Sequence, residues 1–350
     1  RVVASSASTS ATAAATRSDP GAVNTTAPDR RQQLLRLSLR AVVSDLTGDH
    51  TDLAVSDVPG GAWLVRDDTL WARLDDRPHR SLGAVIALAL REGTERLEIL
   101  VGDRDAAPVV ARRARQWHLP ISVHHLDERT PVAVEPAAHR STPTVPEEHL
   151  AFTEMIAAAG ADPVVAHGVV TAHFRGLEIA RVVDDGDGAR LEVGVGANDR
   201  EAFRELHIGE TPEASLARVV AAVAEHRLDG ARPHPFNTMS PEGYLASALR
   251  ADPAAAGVGT LVLTGSAVAP IGAVDAGPAM LMGGGRLFAC TTGVDLGAMP
   301  DALDTLDAMI ATGEMSDPAL TVVVPSRNRL PVLDRLAEAA VASVEILEFR

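Results

Sequence analysis

Apolar and polar positions fall into the same order in two distant parts of the chain. From Leu97 to Val123 a short apolar run is followed by a turn carrying Arg and Pro, then a helical period, then a second apolar run. The stretch from Leu320 to Ile346 repeats that order without gaps, with Arg104 opposite Arg327, Pro108 opposite Pro331, Val109 opposite Val332, Arg112 opposite Arg335 and Ala114 opposite Ala337. Each stretch predicts a β-α-β unit. Upstream, Gly61 to Leu74 matches Pro278 to Thr291, with Trp71 opposite Phe288. These predict hairpins turned at Arg66-Asp67-Asp68 and at Gly283-Gly284-Gly285. A helix over Arg80 to Arg91 links the first hairpin to its β-α-β unit.

The pattern between the two copies is different in kind. Glu147 to Ala159 reads as a helix opened by two acids, which suit the positive end of its dipole. Three strands follow, Pro163 to Phe174, Leu177 to Val183 and Arg190 to Val195, and then helices over Asp199 to Leu206 and Pro212 to His226. The predicted fold class is therefore α/β with mixed sheets, two copies of a ββαβαβ unit flanking a middle α-β-β-β-α module. The expected divisions are a disordered tail over 1–33, rich in Ser, Thr and Ala, the first copy over 34–134 with an amphipathic helix at its start, and a Pro-punctuated linker over 135–146. The middle module spans 147–250, a second linker 251–270 and the second copy 271–350. Two copies suggest pseudo-two-fold packing, with one continuous sheet as a way of joining them.

Composition narrows the chemistry. Aromatic residues make up only 3% of the chain, so its core has to be aliphatic, and all 32 basic residues are Arg. Without Lys, Schiff-base chemistry, a Walker-type phosphate Lys and the Lys of an ExK nuclease motif are excluded within this chain. A net charge of -15 repels phosphate backbones and argues against nucleic acid as a partner. Arg112, Arg113 and Arg115, on one predicted helix, read as an ion-paired, solvated face. The sole cysteine, Cys290, excludes an intramolecular disulfide and a multi-Cys zinc site, and its place in a predicted strand suggests a buried thiol. No apolar window reaches the ~18 residues of a membrane span, so no membrane partner is expected. No secretory h-region opens the chain, and the expected location is cytoplasmic.

Candidate chemistry concentrates in the middle module. A two-residue hairpin at Arg175-Gly176 sets His167 opposite Asp184 and His173 opposite Glu178, with Glu192 on the next strand. Histidine beside a carboxylate suits a metal site or a general base. Helix, three strands and helix, with Asp184 ending the second strand and Glu192 on the third, resembles the core of the PD-(D/E)XK nuclease superfamily. That resemblance implies a metal-dependent nuclease or phosphodiesterase. Asp184 and Glu192 would hold a divalent ion such as Mg²⁺, helped by His167 and by an acid on the preceding helix, Glu148 or Glu154. Gly194 stands where the family has its Lys, so a degenerate, non-catalytic relative is also implied. Arg104 and Arg327, each just beyond a strand end, are candidates for a small-anion sensor. The HHxDE run at His124 to Glu128 places its two histidines on opposite strand faces, which rules out joint ligation of one ion. Phrases such as RLEVGVGANDREAF resemble proteins of high-GC bacteria and transfer no activity. The leading expectation is a protein without cofactor that acts through protein-protein interaction or self-association, with the paired units as scaffold and the middle module as recognition surface.

Overall fold

The computed structural model describes residues 27–139, 143–186, 188–206, 209–267, 277–316 and 318–349. Helix α1 (Ala27–Thr47) precedes β1 (Ser56–Val58), β2 (Gly61–Arg66), β3 (Thr69–Leu74), α2 (Pro78–Glu92), β4 (Arg96–Val101), α3 (Ala107–Ala114), β5 (Ile121–Asp127) and β6 (Thr130–Ala133). These strands form one six-stranded sheet in chain order. The turn Asp67-Asp68 closes the β2-β3 hairpin, and β4 and β5 join it in parallel. The helix placed over the start of the first unit begins at Ala27, within the stretch expected to be tail; the rest of that stretch, residues 1–26, lies outside the described residues.

The middle segment carries α4 (Glu147–Leu150), α5 (Phe152–Ala158), β7 (Asp162–Ala166), β8 (Val169–Phe174), β9 (Leu177–Asp184), β10 (Ala189–Val193), α6 (Ala197–Leu206) and α7 (Pro212–His226). It has four strands rather than three. The expected strand from Pro163 to Phe174 folds back at His167-Gly168, where both residues take the positive φ that a two-residue hairpin requires. Apolar alternation continues through this turn, so periodicity alone did not show it.

After α8 (Pro235–Thr238) come α9 (Pro241–Ala251), β11 (Val262–Thr264), β12 (Ala279–Gly283), β13 (Arg286–Cys290), α10 (Ala298–Ala311), β14 (Ala319–Val324), α11 (Pro331–Ala339) and β15 (Ser343–Glu348). The stretch expected as a second linker thus contributes β11 to a sheet. This five-stranded sheet has the same order and pairing senses as β1 to β5, an antiparallel pair of hairpin neighbours followed by two parallel strands. Both faces of each sheet are covered. Leu39, Val42 and Val43 of α1 pack on Ala62, Leu64 and Leu100, while Leu245 and Leu249 of α9 pack on Leu281, Phe288 and Val323.

The expected continuous sheet is not what joins the units. Their inner faces, Leu70, Leu97 and Ile99 on one side and Leu287, Leu320 and Val322 on the other, close on four helices, α2, α3, α10 and α11, in one aliphatic core. The physical reason is that each sheet buries two faces, so the helices have to lie between the sheets. Trp117 bridges Ala340, with His118 N–H donating to the Ala339 carbonyl at 2.8 Å and Val341 N–H donating to the Gln116 carbonyl at 2.9 Å. Trp117 meets its aligned counterpart, and the two hydrogen bonds on either side of it exchange aligned positions, His118 with Val341 and Ala339 with Gln116, the reciprocal pattern expected of a local two-fold axis.

The helical layer is locked by buried charge. Arg113 and Asp304 are fully buried, and Arg113 Nε donates to Asp304 at 3.1 Å while its Nη1 donates to Asp301. Arg112 grips the same Asp304 in bidentate fashion at 2.7 and 2.9 Å, and Arg80 reaches Asp301 at 2.8 Å and Asp295 at 3.0 Å. The expected solvated Arg face of α3 is therefore largely inside the protein, because α10 supplies carboxylates to meet it. Burial by itself would raise the Asp304 carboxyl, but hydrogen bonding and charge from Arg112 and Arg113 hold it below its ordinary value.

A second fully buried guanidinium, Arg227, pairs with no carboxylate among the described residues. It donates to the carbonyls of Arg175, Phe236, Met239 and Ser240 at 2.6 to 2.8 Å and lies over the Tyr244 ring. Burial lowers it to about 10, so it stays charged at neutral pH. It pins the middle sheet to the chain entering α9.

Replacing Asp304 with Asn leaves Arg113 buried without its counter-charge and should cost about 3–5 kcal/mol in urea unfolding. A folded carboxyl held below its unfolded value stabilises above that unfolded value, near pH ~3.9, and loses the contribution as pH falls through the folded one. Wild type should therefore show an acid-induced loss of stability in this window that is smaller in Asp304→Asn. Identical acid profiles would remove Asp304 from the account.

Candidate functional site

In the middle sheet the register decides what the candidate acids can do. Asp184 stands opposite Ala189, and Glu192 opposite Arg181. Successive strand residues alternate faces, so Asp184 shares a face with Val182 and Leu191, while Glu192 lies on the other face with Arg181 and Arg190. The two acids that the nuclease resemblance pairs cannot converge on one ion. Glu192 is also engaged with Arg190 at 2.6 Å, and Glu178 on the same face with Arg181 at 3.1 Å and Arg200 at 3.3 Å. At Gly194, φ is 139° and a Cβ would stand 2.8 Å from the Arg200 nitrogen, so no Lys fits at that position without moving the start of α6.

His167 is not beside Asp184. It occupies the β7-β8 turn near Gly265, and burial pushes its imidazole below the ordinary value. The expected His173-Glu178 pair does form in register, but a bulge between Ala172 and His173 shifts every pair beyond it. His173 bonds Thr171 at 3.0 Å, and burial lowers its imidazole. Asp184 instead meets His149 of α4, at 2.7 Å. With Glu148 these form the one group among the described residues whose three ligand atoms lie within 4.8 Å. His149 is buried and already engaged with Asp184, so an ion there would have to displace that bond.

Arg104 and Arg327 are both exposed in the turns that follow β4 and β14, and neither lines the cleft between the two units. His124 bonds Glu98 at 2.9 Å and His125 the Val101 carbonyl at 3.3 Å, which separates their ring contacts as strand alternation requires. Burial raises the Cys290 thiol well above its ordinary value, as its strand position suggested.

A cleft of about 870 Å³ lies between the two units. One wall is the outer face of α2, with Ser81, Ala84, Ala87 and Leu88; opposite stand Pro331, Val332 and Arg335 of α11, and the loop Val294–Gly297 closes one end. The floor is tight. A Cβ at Gly83 would strike the Leu296 carbonyl, and one at Gly297 the Arg80 carbonyl, so glycine lets α2 and this loop touch through backbone. At the rim Arg77 takes a left-handed conformation, φ 43° and ψ 58°, ahead of Pro78. For a residue with a Cβ this conformation costs about 1–2 kcal/mol, and such strain recurs at ligand sites.

No family model, curated protein or solved structure matches this chain. Among the described residues no helix is long and apolar enough to cross a membrane.

The cleft's chemistry is cationic and aliphatic. Arg80 is held by two acids, and Asp57, at the rim, by Arg36 and Gln32. Arg335 is exposed and makes no ion pair among the described residues. Ser81, the hydroxyl in the wall, donates to the Pro59 carbonyl at 2.6 Å. Sequence reasoning found Arg335 and Pro331 as repeat positions but not the cleft, because a wall made by two units has no local signature.

With the acids on opposite faces, Glu192→Ala should leave any Mg²⁺- or Mn²⁺-dependent rise in melting temperature unchanged. A metal-dependent rise lost in that variant would return both carboxylates to one ion.

Proposed function

We propose that the protein acts by binding a partner's polypeptide in the cleft between its two α/β units, with those units as a rigid frame. The carrying observation is the cleft itself. It is pre-formed, it is built jointly by α2 and α11, and it offers aliphatic walls with an Arg that makes no ion pair among the described residues. Sites of this kind gather at the junctions of packed units, with a few polar groups fixing orientation in an apolar lining. The chemistry of the walls favours binding over catalysis. The Ser81 hydroxyl is tied to a carbonyl, no His, Cys or Lys stands in the lining, and the nearby acids are neutralised by Arg.

This reading moves the recognition surface from the middle module to the frame. The charged face of the middle sheet is occupied by its own ion pairs, and exposed pairs of this kind contribute little each.

The test is selection from a random peptide library on immobilised wild type and on Ala84→Trp, whose indole would fill the cleft. Wild type should enrich sequences whose binding the variant abolishes. Equal enrichment on both proteins, or none on wild type, would overturn the cleft as a docking site.

A further inference from the structure

The cleft has a counterpart across the local two-fold axis, and that counterpart is filled. Helices α2 and α10 end alike and can be aligned on those ends: Thr94 N–H donates to the Ala89 carbonyl at 3.1 Å, Glu314 N–H to the Met309 carbonyl at 2.9 Å, and Gly93 and Gly313 both have positive φ. This alignment sets Ser81, Ala84 and Ala87 where α10 carries Asp301, Asp304 and Asp307. Likewise Pro331, Val332 and Arg335 of α11 stand where α3 carries Pro108, Val109 and Arg112. All six residues of the first unit's α2 and the second unit's α11 line the open cleft.

On the filled side the chain leaving β6 crosses the groove as an extended strap. Ala137 N–H donates to the Pro108 carbonyl at 2.9 Å. Arg112 Nη1 donates to the carbonyls of Ala137 and Ala138 at 3.3 and 3.1 Å while its other nitrogens hold Asp304. His139, at the end of the strap, bonds Asp307 at 2.7 Å. The groove thus displays a complete recognition scheme: a proline carbonyl takes a backbone N–H, and an arginine takes two backbone carbonyls and one carboxylate.

On the open side the proline carbonyl and the arginine are kept, and the three acids have become Ser and Ala. Those small side chains leave the space, and Arg335 is left without the carboxylate that its counterpart holds. We infer that the cleft binds an extended peptide that follows the path of the strap and supplies an acidic side chain to Arg335. This rests on the cleft being the docking site. The occupant's N–H meets the Pro331 carbonyl, its carbonyls meet Arg335, and its carboxylate occupies the room left by Ala84 and Ala87. The overall charge of -15 opposes an acidic ligand at long range, but at physiological salt charges beyond ~8 Å are largely screened and the local arginines govern.

The probe is the sequence of residues 134–139 with His139 replaced by Glu, acetyl-VEPAAE-amide, titrated by isothermal calorimetry against the full chain, with acetyl-VEPAAQ-amide, which lacks only that carboxylate, as control. The Glu-ended peptide should bind at least tenfold more tightly than the Gln-ended control. Arg335→Gln should abolish that preference, and so should Ala84→Asp, which installs the carboxylate that Arg112 has on the filled side. Both substitutions lie on the cleft wall, and unchanged circular dichroism and melting temperature would show that each variant is folded. Equal binding of the two peptides, or an acidic preference that survives Arg335→Gln, overturns the assignment. Absence of peptide binding by a wild type that still enriches cleft-dependent library sequences overturns the acidic strap alone, whereas absence of such enrichment overturns the cleft reading beneath it.

Discussion

Two guanidinium groups and two carboxylates between α3 and α10 set the terms for the rest of the molecule. Removing Arg113 and Asp304 from water carries a desolvation cost of several kcal/mol per ion, and only close, well-aligned partners offset it. An aliphatic contact between helices tolerates sliding, because burial depends on area more than on direction. A bidentate pair does not, since a shift of one side chain leaves charge unmatched. The network therefore fixes how the helices of one unit lie against those of the other. Even so it is not fully saturated, for Arg113 Nη2 is buried without a partner.

The same network makes the two units, alike in strand order, unequal. If both sides of the axis carried acids, both grooves could be closed by internal ion pairs; if neither did, Arg112 would be stranded. Here one groove holds Asp301, Asp304 and Asp307 and is sealed by the strap, while the other holds Ser81, Ala84 and Ala87 and stands open. An open groove thus remains where an internal contact is omitted on one side. The backbone that forms it is already held by the sealed side, which lowers the ordering cost a partner would meet.

The middle sheet is attached to this frame through carbonyls gathered by one buried cation, besides the ion pair of Arg250 on α9 with Asp162 on β7. Arg227 collects four of them from the β8-β9 turn and the approach to α9, and Gly176 lies against Gly243 so closely that a Cβ on either would overlap the other's backbone. Such a joint depends on glycine at two positions and on one buried cation. It leaves the opposite face of the sheet to a lattice of Arg and Glu pairs, which is where the nuclease-like spacing of Asp184 and Glu192 loses its meaning.

Much of the architecture was legible in the order of residues. Hairpins, parallel strands and the helices between them follow from period-2 and period-3.6 patterns, from Asp-Asp and Gly-Gly turns and from Pro at helix starts, all of which act over a few residues. The alignment of Arg112 with Arg335 was visible too, as was the loss of its neighbour, since Arg113 faces Leu336; a position that is Leu in one copy is a signal that its Arg counterpart is buried. The acids of α10, spaced every three residues in an otherwise apolar helix, carried the complementary half of that signal. What the order of residues could not decide was which of these surfaces meet. The His167-Gly168 turn, the face each carboxylate occupies and the cleft between α2 and α11 depend on register and on contacts between residues hundreds of positions apart. Local pattern determined the elements and their hydrophobic faces, because propensity and periodicity are short-range. Only the packed structure decided that Arg112 is satisfied while Arg335 has no ion pair among the described residues, because charge pairing depends on distance in space.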